Sequence, residues 1–177
     1  MKVRTILLSF ILVCLMIGGV ALAGGMSAPN SKLDVAEEND VFTLDKAGIQ
    51  FKAPKGWNVE NEGDVITITS PDNALTVLIW ASNSATFKDA VKGATGELKQ
   101  TVSNIRVTND GETDTHNGMP HYSISGTGEV KGSKALWSLD LLYAKKPFLV
   151  LSYTLTDKMD KYAKEYMAMV NSIKKVE

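Results

Sequence analysis

The sequence predicts an α+β domain of antiparallel strands covered by helices, and three observations predict it. Ala135–Leu155 reads as two strands of alternating apolar residues separated by a Lys145-Lys146-Pro147 turn. Leu75–Trp80 is apolar on both sides, Leu78 and Trp80 on one face and Leu75, Val77 and Ile79 on the other, so it belongs in a sheet packed on each face. The hydrophobic period changes from two to helical after Asn83 and again from Asp157 to Lys174.

The first 23 residues stand apart from that domain. Lys2 and Arg4 give a positive start, Ile6–Val20 is an apolar core, and Ala21-Leu22-Ala23 is a small-x-small cleavage site, the pattern of a secretory signal peptide. The core is short for a bilayer span, which takes about 20 residues. No stable membrane span is therefore expected after cleavage, and an uncleaved anchor is the alternative. Cys14, the single cysteine, lies inside this core with Val13 before it and apolar sequence after it, unlike a lipoprotein cysteine. The exported domain is expected to hold no disulfide and no thiolate site, although the periplasm or extracellular space would permit disulfides. Of 19 basic residues, Lys2 and Arg4 fall in the leader; the other 17 oppose 20 acidic residues, a net charge of −3. That balance argues against a nucleic-acid partner.

Gly24–Asn39 is small and polar and reads as a tether, leaving residues 40–177 as one domain. Val41–Leu44 and Ile49–Ala53 are short strand candidates. Pro54-Lys55-Gly56-Trp57 is a tight connection that turns Trp57 toward the core. Val65–Thr69 and Leu75–Trp80 form an antiparallel meander around Pro71-Asp72-Asn73. Phe87, Val91, Ala94, Leu98 and Val102 then recur at helical spacing, with Thr86 and Asp89 resembling a capping box. Gly93 and Gly96 weaken that helix by roughly 1 kcal/mol each, as a close approach to the sheet or as a tolerated cost. Ile105–Thr108 is a strand ended by an Asn109-Asp110-Gly111 turn, and Met119–Val130 is a longer one in which Gly126 and Gly128 mark a bulge or bend.

The two strands of Ala135–Leu155 are expected to pair Tyr143 with Leu149, which makes Trp137, Leu139, Leu141 and Tyr143 one apolar face. The closing helix, Asp157–Lys174, carries Met159, Tyr162, Tyr166, Met169 or Val170, and Ile173 as its stripe and is the expected cover for that face. Asp157 is its expected cap.

This order, with Gly48-Ile49-Gln50-Phe51, Pro54-Lys55-Gly56-Trp57 and Tyr166…Val170…Ser172-Ile173-Lys174, resembles the superfamily of the PsbP proteins of photosystem II, the Ran-binding nucleotide-release factors and small bacterial envelope proteins. The resemblance runs from about Val41 to Lys174. It implies a central antiparallel β-sheet with helices packed on its faces, a PsbP-like α/β/α sandwich. It implies no activity, because members of the superfamily differ in role.

Asp114, His116 and His121 are the candidate metal ligands, with Asp110 or Glu112 as further donors; imidazole and carboxylate suit zinc or another divalent metal. A hydrolase reading takes His121 as base, Asp140 as its orienting acid, and Ser123, Ser125 or Ser138 as nucleophile. No Gly-x-Ser-x-Gly elbow, P-loop or dinucleotide fingerprint is present. The sequence therefore points first to an exported, non-enzymatic accessory protein that binds an envelope protein through a sheet edge or through the loops around Trp57 and Asp110–Gly118. A small-ligand or divalent-metal module and a weak hydrolase are the alternatives.

Overall fold

The computed structural model describes residues 32–38, 40–155 and 158–176. The leader, most of the tether and the expected cap Asp157 lie outside these residues. Among the described residues, eleven strands and two α-helices follow in chain order. They are β1 (Lys32–Val35), β2 (Val41–Leu44), β3 (Ile49–Lys52), β4 (Asn58–Glu62), β5 (Val65–Thr69), β6 (Leu75–Ala81), α1 (Phe87–Leu98), β7 (Ser103–His116), β8 (Met119–Val130), β9 (Ser133–Tyr143), β10 (Pro147–Leu155), α2 (Ala163–Ser172) and β11 (Lys174–Lys175). A 3-10 turn, Met159–Tyr162, precedes α2. β1 occupies residues that the sequence reading gave to the tether.

Eight strands form one antiparallel sheet in the order β1-β4-β5-β6-β10-β9-β8-β7, and β11-β3-β2 form a small second sheet. Alternation along the central strands feeds two cores. On one face, Leu78, Trp137, Leu139, Leu141, Leu149 and Leu151 pack against Ala90, Ala94 and Leu98 of α1. On the other, Ile66, Ile68, Val77, Ile79, Phe148 and Val150 pack against Ile49 and Phe51 of the small sheet and against Met169 and Ile173. The molecule is thus an α+β sandwich with its central antiparallel sheet covered on both faces.

The cover of the Trp137 face differs from the sequence expectation. It is α1, not the closing helix. Immediately after α2, Lys174 and Lys175 pair with Gln50 and Ile49 of β3, which commits α2 to the small-sheet side. The alanines at 90 and 94, both buried, let α1 settle close to Trp137. Trp80 adds a polar tie, its Nε1 donating to Glu97 Oε2 at 2.9 Å. Gly93 and Gly96 point into open space on the far side of α1, so they are the tolerated cost and not a close approach. Trp57 is 2% exposed and meets the Tyr162 ring edge-on with centroids 5.3 Å apart, so its side chain serves the core.

Two registers also differ. β9 and β10 pair Tyr143 with Pro147 and Leu141 with Leu149, two residues away from the expected register. A slip of two keeps every side chain on its predicted face, whereas a slip of one would have inverted them. Asn109-Asp110-Gly111 is no turn: β7 runs through it, with register shifts at Ser103/Arg106, Val107/Asn109 and Asn109/Glu112. The true reversal is Asn117-Gly118, at φ 48° and 72°, a two-residue loop between the paired His116 and Met119. Both φ values being positive is the type I′ requirement that Asn-Gly meets with least strain. Gly126 faces the bulged strand, and a Cβ there would land on the Arg106 carbonyl and lie 2.8 Å from Trp137 Cζ2.

Candidate functional site

The polar residues singled out by the sequence gather on the small-sheet side of β7, β8 and β9. Asp114 and His121 are directly opposed across β7 and β8, and Asp140 on β9 is diagonal to His121, opposite Ser123. Cross-strand neighbours of this kind touch without any long-range constraint beyond the register. His121 Nδ1 lies 2.6 Å from Asp114 Oδ1, and its Nε2 lies 3.0 Å from Asp140 Oδ1. A carboxylate at each nitrogen suits the doubly protonated ring, which donates from both. The hydrogen bond to Asp140 raises the His121 pKa above its usual value; burial opposes this, and Asp114 reinforces it. The two carboxylates are unequal. Asp140 is 14% exposed and Asp114 65%, so Asp140 is the partner that solvent screens less.

Asp140 has further company. Ser138 Oγ donates to Asp140 Oδ2 at 3.3 Å. Tyr166, reaching down from α2, has its phenol pKa pushed up by burial and by the charge of Asp140, with a hydrogen bond to Ser152 acting against them. His121, Asp140, Ser138, Ser152 and Tyr166 therefore form one polar seam between the sheet and α2.

His116 does not join the seam. Its Nε2 donates to the Val170 carbonyl at 3.0 Å, and Asn117 Nδ2 donates to the carbonyls of Asn171 (2.9 Å) and Ile173 (2.8 Å). These carbonyls lie at the C-terminal end of α2, where Val170 O also accepts from the Ile173 N–H at 3.1 Å, so the β7–β8 turn caps the helix. The imidazoles of His116 and His121 stay 6.0 Å apart, centroid to centroid.

Of the candidate metal ligands, the fold thus brings Asp114 and His121 together and employs His116 elsewhere. Among the described residues, no set of three or more His, Cys, Asp and Glu side chains could hold a metal ion. Hydrolase geometry fares similarly. Ser138 bonds Asp140 and not the imidazole, and both ring nitrogens face carboxylates, so no base stands against a nucleophile. The seam can hold a proton and tie three strands and a helix together. The sequence marked Tyr166 only as part of the apolar stripe of the closing helix and gave Ser152 and Asn117 no site role, although Asn117-Gly118 carried the signal for a tight hairpin.

No protein-family model and no curated protein matches the chain. Solved structures do. A protein of Bacteroides thetaiotaomicron VPI-5482 superposes with a TM-score of 0.53 at 16% identity over 76% of this chain and 47% of that one. This chain therefore spans about half the length of the Bacteroides protein. Cyanobacterial PsbP (CyanoP) from Synechocystis sp. PCC 6803 gives a TM-score of 0.52 at 16% identity, covering 89% of this chain and 99% of that one. At this identity the likeness defines the fold, a PsbP-like α+β sandwich. Among the described residues, no helix is long and apolar enough to cross a membrane.

Proposed function

We propose that the protein is an exported, non-enzymatic accessory protein that binds another protein of the cell envelope along the β7 edge of its large sheet. One observation carries this reading. Among the described residues, β7 is a terminal strand paired with β8 alone, and Glu112–His116 runs there in unbroken register with Thr113, Asp114 and Thr115 exposed. An unpaired strand edge offers main-chain donors and acceptors to a partner strand. The Lys2/Arg4 start, the Ile6–Val20 core and Ala21-Leu22-Ala23 support export to the periplasm or outside the cell. The engagement of both His121 nitrogens by carboxylates supports a role other than catalysis.

The test places a photocrosslinking residue at Thr113 or Thr115, and at Thr67 on β5 as a control, in intact cells. A discrete adduct with an envelope protein from both β7 positions, absent from the control, is the expected result. Recovery of the single chain alone from all three positions would overturn the reading, as would accumulation of the protein in the cytosol.

A further inference from the structure

A cleft of about 430 Å³ opens at one end of the large sheet, between three turns far apart in sequence. Lys46 comes from the β2–β3 turn, Lys145 and Lys146 from the β9–β10 turn, and residues 82–85 from the link between β6 and α1. Its walls are knitted together by main chain. Lys145 N donates to Ala47 O at 3.0 Å, and Ser82 N donates to Pro147 O at 2.8 Å. The buried Ser82 Oγ accepts from Ser84 N at 3.1 Å. The two lysine-bearing turns are packed so tightly that a Cβ on Gly48 would lie 2.9 Å from Lys145 Cβ. The frame is therefore formed before any ligand arrives, which lowers the ordering cost of binding.

Its charge runs against that of the chain, which carries a formal net charge of −1. Among the described residues, no carboxylate lines the cleft. Lys46 Nζ is held by Asp64 Oδ2 at 2.6 Å, a pair whose carboxylate is 66% exposed. Lys145 and Lys146 are exposed, and neither has a carboxylate partner among the described residues. Residues 82–85 lead straight into the positive end of the α1 dipole. The nearest acid on that helix, Asp89, is turned to its cap, with Thr86 Oγ1 donating to it at 2.7 Å.

We propose that this cleft binds a phosphate group carried on a small polar body of glycerol or sugar size. Lys145 and Lys146 are its principal cations, and Lys46 leaves Asp64 to join them when the anion enters. Ammonium groups meet phosphate as point charges, and Asn83 and Ser84 supply neutral hydrogen-bonding groups on the same wall. The volume falls within the roughly 300–1,000 Å³ of small-molecule sites, larger than a bare phosphate needs. The same group can come from a soluble phosphate ester or from a phospholipid headgroup. This site is separate from the β7 edge and does not depend on it.

The experiment uses protein purified after expression of the full chain. Glycerol phosphate is titrated calorimetrically, and co-flotation is measured with phosphatidylglycerol-containing vesicles and with phosphatidylcholine vesicles. The variants are Lys145→Ala with Lys146→Ala, both at exposed positions, and Asp64→Asn, with circular dichroism to confirm folding. Saturable binding of glycerol phosphate, or selective flotation with the anionic vesicles, is expected. The double lysine variant should weaken it about tenfold. Asp64→Asn should strengthen it about two- to threefold by releasing Lys46, a gain that misfolding does not produce. Binding of glycerol phosphate assigns a soluble ester, and binding of vesicles alone assigns a headgroup; either supports the site. Failure of both probes to bind, or equal binding by the double lysine variant, overturns it.

Discussion

With a carboxylate at each ring nitrogen, His121 keeps its second proton above the pH at which an ordinary histidine loses it. The folded chain holds that proton more tightly than the unfolded chain. The bridge therefore contributes fully below the unfolded pKa of about 6.5 and is lost as pH rises through the higher folded value. The Tm difference between wild type and His121→Gln is expected to be largest near pH 6 and to shrink toward pH 9; parallel profiles would sink this account. Asp140→Asn should cost about 1–3 kcal/mol because its partner is left sheltered, and Asp114→Asn less than about 1 kcal/mol, read from urea denaturation. Gly93→Ala and Gly96→Ala meet open space on a helix. Each should stabilise by about 0.5–1 kcal/mol, and a lower denaturation midpoint for either would contradict the tolerated-cost reading.

The end of α2 is set by another element. His116 and Asn117 place three hydrogen bonds on its last carbonyls, so the β7–β8 turn and the helix are expected to loosen together. Asn117→Gly keeps the positive φ and removes the two side-chain bonds. It should cost about 1–2 kcal/mol and speed amide exchange in Ile173 and the last turn of α2. Unchanged exchange there would show that the cap is idle. The same turn bears on how much of the site was legible. Taken as a two-residue type I′ loop, Asn117-Gly118 fixes His116 opposite Met119, and hence Asp114 opposite His121. Lys131-Gly132 likewise sets Val130 opposite Ser133, and hence Ser123 opposite Asp140. Both contacts of His121 were thus implicit in two short loops. The apolar strands and both helices were readable because periodicity is local. The choice of face for each helix was not. Both faces of β9 and β10 needed a cover, and Lys174-Lys175, two polar residues, carries no periodic sign of the pairing that decides it. The lysine cleft was equally hidden, since its cations reach one place only through the sheet registers.

Across the whole molecule, each central strand serves both cores, so neither can melt alone. Val77 and Leu78 are adjacent on β6 and lie in opposite cores, as do Leu149 and Val150 on β10. Leu98→Ala in α1 and Met169→Ala in α2 should each cost about 2–5 kcal/mol and still leave a single unfolding transition. Trp57 reports one core and Trp137 the other. Fluorescence, far-ultraviolet circular dichroism and calorimetry are expected to coincide, and separate midpoints would show two independent halves.

The irregular course of β7 also bears on crowding. A fourteen-residue terminal strand is long enough to zip against its own copy and seed a fibre. Three register shifts cut that length, so the longest uninterrupted stretch is the five residues Glu112–His116. Polymerisation edge to edge is thereby discouraged, while the edge proposed for a partner keeps one regular stretch. Concentrated protein should stay dispersed, and any natural guest on this edge should need only a five-residue extended footprint.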